Sequence, residues 1–175
     1  MKNSREFEIA FVGIKPGLHQ FNYSIEDSFF EKFENPGFTQ SNIDVKLSLD
    51  KKSNAFILLF EINGKVTLPC DRCGDDFELN LWDEFDLMVK IIEDADVSKK
   101  STEDAEVAYI GRSESVLDVS AWIYEFIVLS VPMQHIHPED ENGNSGCNPK
   151  ALDILNQQKT EDIPSIWKDL KNKIN

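Results

Sequence analysis

Apolar and polar residues alternate at period two along much of the chain, and that alternation is the mark of half-buried strands. Phe7, Ile9 and Phe11 give a first strand over residues 5–12, and Lys15-Pro16-Gly17 is a turn. Residues 18–23 read as a second short strand. From Ser24 to Phe33 the spacing becomes helical, with Ser24 as N-cap and Ile25, Phe29, Phe30 and Phe33 on one face. Asn35-Pro36-Gly37 ends that segment. Ile43, Val45, Leu47 and Leu49 then alternate with Asp44, Lys46 and Ser48, which predicts a strand with one wet face. Lys51 to Asn54 is a turn. Ala55 to Ile62 is apolar on both faces and predicts a central strand. Asn63-Gly64 fits either a tight hairpin turn or an irregularity within a longer strand that continues through Val66 and Leu68. A long antiparallel-type strand follows from Phe77 to Lys90, with Phe77, Leu79, Leu81, Phe85, Leu87 and Val89 on one side.

Residues 93–106 break the pattern with acids and lysines, and predict a solvated loop. Val107, Tyr109 and Ile110 suit a short edge strand. Asp118 or Ser120 caps the main helix, whose Val119, Trp122, Ile123, Phe126 and Ile127 form an apolar face with Glu125 as its single charge. Pro132 stops it. A polar loop runs from Gln134 to Pro149, residues 156–163 are polar enough to be flexible, and 164–174 suit a short helix with Ile166, Trp167, Leu170 and Ile174 on one face. The fold class implied is α+β: an antiparallel sheet of five or more strands, open or barrel-like, one main packed helix, a CxxC knuckle and a C-terminal helix. The organisation expected is a single domain over 1–155, then a flexible segment and short helix over 156–175.

Charge narrows the range of partners. The 32 acidic residues against 18 basic ones give a net charge of −14, with no basic cluster to offset it. Affinity for nucleic acid rests on cations that neutralise phosphates, so direct nucleic-acid binding is not expected and a basic protein is the better-matched partner. Solubility alone is the plainer account of the charge. No run of about 18 apolar residues suits a membrane span, and the N-terminus lacks the apolar segment of a signal peptide, so the expected location is cytoplasmic.

Three cysteines in such a chain point to metal binding rather than a disulfide framework. Cys70-Asp71-Arg72-Cys73-Gly74 is a knuckle: both thiolates can face one ion, and the glycine turns the chain into the next strand. A redox pair of this spacing opens a helix, whereas a strand follows here. A structural zinc takes four ligands, and the chain further offers Cys147, His135, His137 and His19. Cys70, Cys73, His137 and Cys147 make a Cys₃His set, with His135 an alternative to His137. The competing account is a pair of reduced thiols with no metal. No Gly-rich phosphate loop, GxSxG elbow or HExxH helix is present, and Cys147 lies in a context without an oxyanion signature.

The order Cys70-x-Arg72-Cys73-Gly74-x-x-Phe77, Leu117-Asp118-Val119, Leu129-Ser130-Val131-Pro132, His137 and Cys147 resembles the YceD family of large ribosomal RNA subunit accumulation proteins. The resemblance covers roughly residues 55 to 175. It implies a part in accumulation of large-subunit ribosomal RNA, with no established enzymatic activity, and it maps the family's Cys and His positions onto Cys70, Cys73, His137 and Cys147. Ile163-Pro164-Ser165-Ile166-Trp167 stands where relatives often carry an acid and an arginine. Together with the charge, it implies a non-enzymatic factor that holds a basic large-subunit ribosomal protein. The rival is a metal-dependent RNA-processing enzyme, which needs an open coordination position.

Overall fold

The computed structural model describes residues 5–97 and 107–160. The chain separates into two compact units, one of Met1–Leu68 with Glu78–Met133, the other of Pro69–Phe77 with Gln134–Asn175. The helix expected over 164–174 and residues 98–106 of the acidic segment lie outside the described residues.

The first unit is built on a five-stranded, mostly antiparallel sheet with strand order β2-β3-β4-β5-β6. Its strands are β2 (Gly17–Glu26), β3 (Thr39–Lys51), β4 (Ala55–Pro69), β5 (Asp76–Ile92) and β6 (Val107–Gly111). β6 runs parallel to β5 at the edge. Among the described residues β2 and β6 do not pair, so the sheet is open and not a closed barrel. A short β1 (Glu8–Ile9) pairs with β7 (Leu117–Asp118) in a separate ribbon, and the chain after β1 turns into a 3₁₀ segment, Phe11–Gly13. The predicted strand over 5–12 is thus cut to two residues.

One face of the sheet is the core. Val45, Leu47, Leu49, Phe56, Leu58, Phe60, Ile62, Val66 and Val89 on the strands are sealed from solvent. The main helix α2 (Ser120–Ser130) lays Ile123 and Ile127 into this layer, and the Phe126 ring stacks on Phe85 at 4.6 Å and meets Phe60 at 5.0 Å. Neither Asp118 nor Ser120 is the cap: Val119 holds the N-cap position with no side-chain cap bond, and the Asp118 carboxylate accepts the Ser120 amide at 2.9 Å. The other face of the sheet is open to solvent. The run Ala55–Ile62 therefore does not lie in a strand buried on both faces: Ile57 is 42% exposed.

The helix predicted over Ser24–Phe33 shrinks to α1 (Asp27–Phe30). Tyr23 and Ile25 are buried at period two and pair with Val45 and Ile43, so β2 holds the chain extended through Glu26. Ser24 is not a cap; its hydroxyl donates across the ladder to Asp44 at 3.0 Å. Asn63-Gly64 lies inside a continuous β4, and the irregularity sits opposite, where Gln40 and Ser41 of β3 face a single residue. Asp27 holds this bulge: its carboxylate accepts the Gln40 amide at 3.0 Å, the Ser41 amide at 2.7 Å and the Ser41 hydroxyl. Those bonds, the Ser41 ones foremost, draw the Asp27 carboxyl below its usual range. Gly64 is needed because a Cβ there would lie 2.4 Å from the Asn42 carbonyl oxygen. The start of the acidic segment is ordered, with a 3₁₀ turn Asp94–Asp96 and Asp94 accepting the Ser113 amide and hydroxyl.

The second unit holds the link between β4 and β5, a loop from Gln134, and helix α3 (Pro149–Thr160). The polar composition of 156–163 predicts flexibility, yet the helix runs as far as Thr160. The Asn148 side chain accepts the Lys150 amide at 3.0 Å and Pro149 follows it, a helix-opening pair present in the sequence. No helix in the described residues is long and apolar enough to cross a membrane.

Candidate metal centre

Cys70 ends an extended segment, and the chain must reverse within a few residues. The Cys70 amide donates to the Asp75 carbonyl at 3.0 Å and the Gly74 amide to the Cys70 carbonyl at 2.8 Å, closing the loop. Gly74 takes φ +78°, a conformation open to glycine at no steric cost. The Arg72 amide points at the Cys70 sulfur, 3.4 Å away. The knuckle expected from the spacing is therefore formed by backbone bonds, with both thiols turned to one side.

The loop from Gln134 supplies the other half. Its Gly146 amide donates to the Pro138 carbonyl at 3.1 Å, and a Cβ on Gly146 would lie 2.8 Å from that oxygen. The tight approach folds Cys147 back over His137. Arg72 and the Cys147 amide both reach the Ser145 hydroxyl, and the Asn148 side chain donates to Asp75 at 3.0 Å.

Cys70, Cys73, His137 and Cys147 are brought together, each offering one donor atom, all within 4.8 Å of one another. The Cys70 and Cys147 sulfurs are 3.7 Å apart, and the Cys73 sulfur is 3.4 Å from His137 Nδ1. Ligands at tetrahedral angles around zinc, with Zn–S near 2.3 Å and Zn–N near 2.0 Å, stand roughly 3.5–3.8 Å apart; the sulfur pair falls in this range and the sulfur–nitrogen pair lies just below it. All three cysteines are free. The His137 ring lies against Phe77 at 4.7 Å, which fixes its plane. This donor set could hold a metal, and four protein ligands would complete a tetrahedral shell.

The electrostatics suit a cation. Burial pushes the Cys70 thiol up, but the His137, Arg72 and Cys73 amides and the His137 ring outweigh it and bring the thiol down to about 6 from an ordinary 9.0. At Cys73 the Asn148 amide pulls downward, yet desolvation and the neighbouring Cys70 and Cys147 sulfurs leave the thiol raised. A divalent metal held among these donors would bring a compensating positive charge to the sulfurs.

His135 is placed elsewhere. Its ring Nδ1 donates to the Pro69 carbonyl at 2.9 Å, and its backbone amide donates to the Asp71 carboxylate at 2.8 Å. The Asp71 amide in turn donates to the His135 carbonyl at 2.9 Å. His135 and Asp71 thus lace the two halves of the centre without joining the donor set. Spacing alone could not assign them this part, since it depends on two segments meeting. His19, on β2, takes no part in the donor set and is bonded through Nε2 to the Lys15 carbonyl.

A family profile described as large ribosomal RNA subunit accumulation protein YceD matches residues 58–172. The match spans most of the chain and contains all four donor residues, and the chain belongs to this family. No individual curated protein and no solved structure matches it.

Proposed function

We propose that this YceD-family protein is a non-enzymatic accessory factor for large-subunit ribosomal RNA accumulation, acting in the cytoplasm through contact with a basic large-subunit ribosomal protein. The observation that carries the reading is the family match over 58–172, which ties the chain to large-subunit ribosomal RNA. The net charge of −14 supports a protein partner, because such a surface repels phosphate and attracts lysine- and arginine-rich chains. The centre is structural in this reading, and zinc is the metal proposed for it. A Cys₃His set is a structural zinc complement, and with four protein ligands no position is left open for substrate or water. That favours a scaffold over a metal-dependent RNA-processing enzyme.

The test is the ratio of large- to small-subunit ribosomal RNA in cells lacking the protein and in the same cells with it restored. The expected result is a fall in the large-subunit species that restoration reverses. An unchanged ratio across growth conditions removes the functional reading. Tight binding of the isolated protein to large-subunit ribosomal RNA in moderate salt would overturn the protein-partner mechanism.

A further inference from the structure

The solvent face of the sheet carries an aromatic ring that the core does not use. Trp82 on β5 is 73% exposed, although tryptophan is costly to leave in water. It borders a groove of about 460 Å³ that crosses β2, β3, β4 and β5. The charged residues along the groove are Asp44, Lys46, Glu61 and Glu84. Lys46 is spent on Glu61, at 2.7 Å. Asp44 accepts the Ser24 hydroxyl, and among the described residues neither Asp44 nor Glu84 pairs with a lysine or arginine. The groove therefore offers an exposed aromatic ring together with two carboxylates that no described lysine or arginine pairs with. Leu18, Ile57 and Met88 extend the exposed apolar surface on the same unit.

We infer that this groove docks an extended, arginine-bearing segment of a protein partner, with a guanidinium lying on the Trp82 ring and held by Asp44 and Glu84. Arginine suits the site better than lysine because its planar, weakly hydrated cation stacks on indole and binds carboxylates in a fork. Nucleic acid is a poor occupant, since its phosphates would face the same carboxylates. The inference rests on the reading that the partner is a basic protein, and it names the surface that partner meets.

The experiment uses the full chain and a labelled synthetic peptide with arginine at alternate positions, beside matched peptides carrying lysine or glutamine. Wild-type protein should prefer arginine to lysine and ignore glutamine. Trp82→Ala should weaken arginine-peptide binding about threefold to tenfold and erase the arginine preference. Asp44→Asn with Glu84→Gln should weaken it further and flatten its salt dependence. Glu84→Gln alone, an isosteric change at an exposed position, keeps the test valid if Trp82→Ala disturbs the sheet. If the wild type binds the arginine peptide and all these variants match it, the groove is wrong while the basic-partner reading stands. If the wild type binds no arginine peptide, the groove is also wrong, and the ribosomal RNA ratio judges the wider reading separately. If Lys168→Gln, Lys171→Gln and Lys173→Gln together raise peptide affinity, the occupant is the chain's own tail and the inference fails.

Discussion

The two units are held by different physics. In the first, the interior is aliphatic and aromatic: Phe56, Phe60, Leu47, Ile62, Ile123 and Ile127 are shut away from water, and rings such as Phe85 and Phe126 lock together at its margin. In the second, the only described side chains buried to that degree are two thiols, Cys70 and Cys147. His137 and Phe77 beside them are only half-buried. A region with so little apolar interior lacks the hydrophobic term that offsets chain entropy, and small modules of that kind rely on a cross-link or a metal. The contrast teaches that the same chain places all but one of its phenylalanines, Phe77, in one unit and all three cysteines in the other.

The comparison is most sharply tested at the centre. Cys147→Ser, or chelation of the wild type, should release one equivalent of metal and unfold the second unit, with an effect on the order of 10 kcal/mol in apparent metal-binding free energy. Hydrogen exchange should show protection lost over Pro69–Phe77 and Gln134–Thr160 and kept on the sheet. His135→Ala should leave the metal content intact, because its ring bonds the Pro69 carbonyl and not the donor cluster. Loss of sheet protection in parallel with metal loss would mean that one cooperative structure, not two kinds of stabilisation, is present.

The converse change comes next in size. Phe60 is fully buried and touches the helix through Phe126, so Phe60→Ala should cost the first unit about 3–5 kcal/mol by denaturant unfolding. Metal content measured by elemental analysis should stay at the wild-type level under native conditions. A variant that loses metal while still folded would show that the sheet core sets the centre's geometry.

The smallest effect is expected at the β3 bulge. Asp27→Asn weakens the acceptor for the Gln40 and Ser41 amides and should cost about 1 kcal/mol, since charge-assisted bonds are worth more than neutral ones but this carboxylate is exposed. The carboxyl is lowered in the folded state, so its contribution is complete above the ordinary carboxylate range and fades as pH falls through the folded value. Stability curves of wild type and variant, measured against pH, should therefore converge in acid. A gap that stays constant with pH would assign the loss to packing and not to ionised Asp27.

The legible parts of the fold were those set by one-dimensional period. Ile43 to Leu49 and Phe77 to Val89 alternate so regularly that their strands need no tertiary information. The cysteine spacing likewise carried the knuckle, because thiols two residues apart with a following glycine satisfy one backbone turn. Legibility failed where a local preference met a stronger long-range one. Ser24 to Glu26 carries a helix-start signal, but burial of Tyr23 and Ile25 against β3 outweighs it. At Ala55–Ile62 the apolar run hid an open face, since hydrophobicity alone does not say whether a second layer covers it.

The sequence by itself determined the α+β class, the strands with clean alternation, the main helix from its apolar face to Pro132, and the cysteines and histidines from which a metal's ligands could be drawn. Each of these follows from residue type and spacing within one segment, where covalent geometry limits what neighbours can do. Only the tertiary structure decided that His137 and not His135 faces the thiols, that the bulge lies at Gln40–Ser41 and not at Gly64, and that Trp82 stands in the open. These depend on segments distant in sequence arriving at the same place. A histidine two residues from another has the same chemistry, and only the position of the facing chain settles which ring becomes a donor.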